Sequence, residues 1–168
     1  MGRKGGPPVT SRPGARDSQR GRVYAAEEVW SLRLDAARRG ARRAVVGGSA
    51  LTLPEELRFG TLEDAQRYAE HHTTGLPPVT LRERKGQGAA HYSPPGDVAL
   101  PLPPYGEPWA LRECVLLHEL AHHVAFHTHG VADHGPSYTA CMLELVARAL
   151  GEEAAFALRV DYGEHDVV

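Results

Sequence analysis

From Val23 onward the apolar residues fall into a helical rhythm: Val23, Ala26, Trp30, Leu34 and Ala37 recur three and four apart, which predicts an amphipathic helix from an Asp17 N-cap to Gly40. The pattern then changes. Residues 44–53 (AVVGGSALTL) are apolar and β-prone and are interrupted by Gly47-Gly48, so they predict a strand with a bend or bulge. Thr61-Leu62-Glu63-Asp64 has the form of a capping box ahead of Leu62, Ala65, Ala69 and His72, and predicts a second helix ending at Gly75. Val79, Leu81 and Glu83 alternate with polar neighbours as a strand does, with residues 89–92 as the expected hairpin partner.

Residues 97–103 (DVALPLP) have strand period, and Pro101 and Pro103 share one parity. Residues of one parity direct their N–H groups to one edge, so the missing donors fall on a single side and predict a strand at the edge of its sheet. From Pro108 to His129 no glycine or proline interrupts a long helical run, and Gly130 stops it; helices continue to the end of the chain. The order predicts an α+β domain with a small, mainly antiparallel sheet packed on helices.

Composition limits the classes. In 168 residues, 42% hydrophobic and 24% charged are the proportions of a globular chain with a real core, and the length suits one domain over residues 17–168. No apolar run is long enough for a membrane helix and no signal-peptide pattern opens the chain, so no membrane association and a cytoplasmic location are expected. Cys114 and Cys141 form no CxxC pair and are expected to be buried thiols. The net charge of -2 conceals a basic start, with Arg3, Lys4, Arg12, Arg16, Arg20 and Arg22 against Asp17 alone. Residues 1–16, rich in glycine and proline, are expected to be a disordered basic tail; a nucleic-acid contact through it is conceivable but nothing else in the chain supports one. Nothing in the pattern fixes an oligomeric state.

Histidine changes the picture most. Six of the ten histidines fall between positions 118 and 134 (His118, His122, His123, His127, His129 and His134). Within the long helical run stands His118-Glu119-Leu120-Ala121-His122, an HExxH motif. An i, i+4 pair turns about 400°, so both imidazoles leave one helix face and can reach one Zn²⁺, while Glu119 is rotated about 100° from His118, beside the metal and not on it. There it is the candidate general base. A catalytic zinc needs a third protein ligand. Thr128 occupies the position where a HExxHxxGxxH site would carry its histidine. His134, on the loop entering the next helix, is the favoured candidate, with Glu144 second and His129 or Asp133 behind. Tyr138, Tyr92, Tyr105 and His91 are candidate oxyanion donors, and Cys114, one turn before His118, is a remote candidate to approach the metal.

These residues resemble a known family. His118-Glu119-Leu120-Ala121-His122 followed by His134-Gly135-Pro136-Ser137-Tyr138 is similar to the HExxH…HGPx[FY] signature of the SprT-like (Spartan-like) zinc metallopeptidases, over about residues 97–150. More broadly, residues 16–160 resemble a family of small bacterial HExxH metallohydrolases. The resemblance implies a zincin-like fold with an edge strand above the cleft, Zn²⁺ on His118, His122 and His134, Glu119 as catalytic base, and a peptide or protein substrate. It also marks a departure: SprT-like proteins often carry a cysteine-rich zinc ribbon, and no residue after Gly151 is a cysteine. The expected activity is a minimal zinc metallopeptidase. The competing expectation is a zinc-stabilised binding or regulatory module, in which the metal is structural; the three evident ligands with a carboxylate beside them favour the enzyme. If residues 97–103 are the edge strand, an extended substrate adds to it through backbone hydrogen bonds, with loose side-chain preference.

Overall fold

The computed structural model describes residues 17–168 except 87, 103 and 105–107. The expected disorder of residues 1–16 and the candidate Tyr105 lie outside the described residues. Helix α1 spans Arg20–Arg38 and is followed by strands β1 (Arg43–Val46) and β2 (Ser49–Thr52), helix α2 (Leu62–His72), and strands β3 (Thr80–Arg84), β4 (His91–Ser93) and β5 (Asp97–Pro101). A 3₁₀ turn at Trp109–Leu111 leads into α3 (Glu113–His129), α4 (Pro136–Leu150) and α5 (Glu152–Glu164). Five helices and two small sheets make the α+β architecture expected from the sequence. No helix among the described residues is long and apolar enough to cross a membrane.

The residues that set the rhythm of α1, Val23, Ala26, Trp30, Leu34 and Ala37, are all buried. They pack chiefly on α5, and the Trp30 indole donates to the Ala154 carbonyl at 3.0 Å, so the ring keeps a partner in the core. The helix begins at Arg20 with Gln19 as N-cap, not Asp17, whose carboxylate is engaged elsewhere. Residues 43–52 are two strands where one bent strand was expected. Gly47 and Gly48 hold φ of 55° and 77°, the left-handed pair that a two-residue hairpin requires, so the chain reverses there. Helix α2 starts where its capping signal stands: the Thr61 hydroxyl accepts from the Asp64 N–H.

The second sheet has the order β3-β5-β4, and this corrects two expectations. Residues 97–101 form the central strand, parallel to β3 and antiparallel to β4, and β4 does not pair with β3. The turn at residues 94–96 sets Ser93 opposite Asp97, making β4 the hairpin partner of β5. A Cβ at Gly96 would meet the Pro78 carbonyl oxygen at 2.4 Å, so only glycine lets that turn approach the start of β3. Pro101 faces the side away from β3, as its parity predicts, but the strand is not an edge; Pro103 lies outside the described residues. The Thr80 N–H bonds the Gly96 carbonyl, so alternate residues Val98 and Leu100 face β3 while Ala99 and Pro101 face the other way. There β4 pairs only as far as Ala99, and Pro101 lies beyond its end, where a missing N–H breaks no ladder bond. The edge on this side of the sheet is therefore β4.

Helix α3 is buried on nearly every face, including Leu116, Leu117, Leu120, Ala121 and Ala125. The expected unbroken run from Pro108 is interrupted at Arg112, whose backbone is extended. Glu56 secures this junction: its carboxylate accepts from the Cys114 N–H at 3.1 Å and from the Arg112 guanidinium at 2.6 Å, satisfying a donor of the first turn of α3. Gly130, at φ 70°, ends the helix in the left-handed conformation.

Candidate metal centre

His118 and His122 lie one turn apart on α3, and the Asp133–Pro136 turn brings His134 over them. The Asp133 carboxylate accepts from the Gly135 N–H at 2.8 Å, which fixes that turn and occupies Asp133 locally. The Nε2 atoms of His122 and His134 lie 3.1 Å apart, and those of His134 and His118 3.4 Å apart. Three nitrogens at the corners of a tetrahedron around Zn²⁺, with Zn–N of about 2.0–2.1 Å, stand about 3.3 Å from one another. The spacing therefore suits one small cation. All three imidazoles are buried and could hold a metal ion together. Glu144 is exposed on α4 and His129 is exposed at the end of α3; neither belongs to the group. Cys114 is buried, its thiol pushed well up by burial, and it too stands outside the group.

The outer ring nitrogens of two of these histidines each meet a carboxylate from α1 or the residues just before it. His118 Nδ1 lies 2.5 Å from Glu27 Oε2, and His134 Nδ1 lies 2.6 Å from Asp17 Oδ2. Such contacts fix the tautomer, leaving Nε2 to face the metal, and raise the basicity of the ligand. Glu27 is held in turn by the Tyr138 hydroxyl at 2.9 Å and the Tyr162 hydroxyl at 2.6 Å, both donating to Oε1. Burial opposes ionisation of Glu27, but His118 and the two hydroxyls outweigh it and hold the carboxyl below its ordinary range. Burial likewise opposes a proton on His118, and Glu27 overturns it, raising His118 to about 9. His122, lacking such a carboxylate, is driven the opposite way by burial and by the neighbouring imidazoles, to about 2. Gln19 adds a further tie, donating to the His134 carbonyl at 2.6 Å and to the Val168 carbonyl at 2.7 Å.

Glu119 is buried beside this group and points to the side on which β4 lies; burial raises its pKa, and His118 and, less, the Tyr92 backbone amide pull it back. A small cleft over the histidines is lined by Glu119, His91, Tyr92, Tyr24 and Arg20. Of the candidate oxyanion donors, Tyr138 is fully buried with its hydroxyl committed to Glu27 and His118. The Tyr92 hydroxyl meets His123 Nδ1 at 3.3 Å, behind the site. His91 alone of the described candidates is an exposed side chain on the cleft. Sequence reading missed Tyr24, whose ring stacks on His118 with centroids 5.1 Å apart and which is 39% exposed, and Arg20, which lies over that ring at 5.6 Å. The helical spacing of Arg20, Tyr24 and Glu27 on α1, three and four apart, places them on one face and was the available signal.

With this geometry, comparison with known proteins decides the family: the SprT-like family model matches residues 65–156, more than half of the chain. The chain belongs to the SprT-like family. No curated protein and no solved structure matches it. The SprT-like match covers all three histidines and Glu119, whereas Asp17, Arg20, Tyr24 and Glu27 lie before it.

Proposed function

We propose that this SprT-like protein is a zinc-dependent metallopeptidase with His118, His122 and His134 as ligands and Glu119 as catalytic base. The observation that carries the reading is the convergence of three buried imidazoles, with His134 Nε2 at 3.1 and 3.4 Å from the Nε2 atoms of His122 and His118, and a buried carboxylate next to His118 in sequence. Zinc held there would supply Lewis acidity, bringing the ionisation of water toward pH ~7. Glu119 accepts the proton of the attacking water and passes it to the leaving amine, a task suited to a carboxylate whose burial raises its proton affinity. Glu27 and Asp17 keep two imidazoles oriented throughout. An extended substrate adds alongside β4, the edge strand next to the site, where Tyr92 turns its backbone away from β5 toward Glu119.

A structural zinc site closes with four protein ligands, and among the described residues only three gather here. Glu119→Gln separates the two readings. It should retain one zinc per chain and the thermal midpoint of the parent while peptide hydrolysis falls by at least about a hundredfold. Unchanged hydrolysis, or loss of zinc, rejects the assigned role.

A further inference from the structure

The chemistry above leaves one large feature unused. A cavity of about 490 Å³ opens beside His118 and Glu119, between α1, the start of α3 and the residues leading into β4. Such a volume is in the range of pockets that enclose a small organic group. Its walls are aromatic and aliphatic: Tyr24 and Trp30 from α1, Trp109 from the 3₁₀ turn, Val115 from α3 and Ala90 before β4. Trp109 is left 42% exposed and Tyr24 39%, so two large rings retain apolar surface that a ligand could cover. Of the charged groups at the inner wall, Glu27 is engaged by His118 and two tyrosines and Arg112 by Glu56, which leaves Glu119, the proposed base, at the side next to the histidines. Glu28 stands at the exposed side.

Position gives the cavity its meaning. Ala89 and Ala90 precede His91, the first residue of β4, so a strand laid along β4 passes the mouth of the cavity as it crosses Glu119. We infer that the cavity is a substrate pocket that takes a large apolar side chain, aromatic or long aliphatic, from a residue adjoining the scissile bond. This deepens the metallopeptidase reading and rests on it. The pocket is built partly from α1, ahead of the matched SprT-like segment, so this selectivity is added by the first helix. Backbone pairing along β4 supplies register, and the pocket supplies choice among side chains.

Binding can be read without turnover. Zinc-loaded Glu119→Gln protein is titrated with N-acetyl-Gly-X-Gly-amide peptides, X being Phe, Leu, Ala or Asp, and the fluorescence of Trp30 and Trp109, the two tryptophans of the chain, is followed. Burial of a large apolar side chain predicts that Phe and Leu bind about ten- to a hundredfold more tightly than Ala, with Asp weakest. Val115→Phe, which fills the cavity from a partly buried helix position, should abolish that preference at unchanged zinc content. Should Val115→Phe fail to fold, Trp109→Ala is the second variant; it should weaken the Phe peptide and leave the Ala peptide unchanged. Equal affinity for Phe and Ala, no measurable binding of either, or indifference to the folded variants overturns the pocket. Hydrolysis by the parent protein tests the metallopeptidase reading separately: a parent that cleaves an unselective peptide mixture without apolar enrichment sinks the pocket and spares the enzyme.

Discussion

Helix α3 and helix α1 contribute to the same centre in opposite ways. From α3 come two candidate ligands and the proposed base in five consecutive residues, His118 to His122, inside the segment that matches the SprT-like family. From α1 and the residues just before it come no ligands, but Asp17 and Glu27 hold the outer nitrogens of His134 and His118, and Tyr24 covers the ring of His118. The first contribution is local and fixed by helical geometry. The second is formed across 117 and 91 residues of sequence, and exists only once α1 has packed on α5. The candidate ligands and base thus lie on α3 and the turn after it, and their orientation is delegated to α1 and the residues just before it.

The hardest blow to this division is removal of a ligand. His118→Ala and His122→Ala should each abolish the single zinc per chain measured by metal analysis, and His134→Ala should weaken it by several orders of magnitude. Glu144→Ala, exposed and outside the group, should leave zinc content unchanged. Because the ion would bind only the folded chain, stripping it should also lower stability, by about 4 kcal/mol where free zinc stood a thousandfold above Kd. Normal zinc affinity in His134→Ala would return the third ligand to open question.

A smaller effect tests the delegated half. Glu27→Gln preserves the shape of the side chain but removes the charge facing His118 Nδ1, and zinc affinity should fall about ten- to a hundredfold. Glu27→Ala should do more to the fold, because the Tyr162 hydroxyl loses its acceptor in a buried setting, at about 1–3 kcal/mol for the group left unpaired, while Tyr138 keeps His118. The two variants should therefore separate on one readout only: similar losses of zinc affinity, but a clear drop in thermal midpoint for alanine alone. If Glu27→Gln binds zinc as tightly as the parent, α1 is a structural support and no more.

What could be read beforehand follows the same line between local and distant. The apolar stripe of α1, the Thr61 cap and the HExxH spacing are each set within about one to five turns of helix, so their residues declare themselves. The approach of His134 to His118 and His122 was legible because it stands on a turn next to their helix. Asp17 looked like a helix cap because short acidic residues before an apolar rhythm usually are, and nothing near it in sequence signals that its partner is His134. Proline parity told which side of residues 97–101 lacked donors, but not that β4 would cover part of that side, since strand neighbours are chosen by turns and packing remote from the strand. Gly47-Gly48 announced a break without distinguishing a bulge from a reversal.

The gentlest test falls on Asp17. Its carboxylate accepts from the His134 N–H at 3.2 Å as well as facing Nδ1 at 2.6 Å, so it restrains both the ring and the backbone of the third candidate ligand. Yet its side chain is 27% exposed, and water can replace part of what it provides. Gln19 independently holds the same loop through the His134 carbonyl. Asp17→Asn keeps a side-chain oxygen for the backbone N–H and gives up the charge, so zinc affinity should fall by about tenfold at most, less than for the more deeply set Glu27→Gln. Asp17→Ala loses both contacts and should sit between the two. Affinity is read by competition with a chromogenic chelator, and stability by thermal unfolding, where both Asp17 variants should lie within about 1 kcal/mol of the parent. A larger loss for Asp17→Asn than for Glu27→Gln would invert the ranking by burial, and would make the His134 loop, not α3, the weak point of the metal centre.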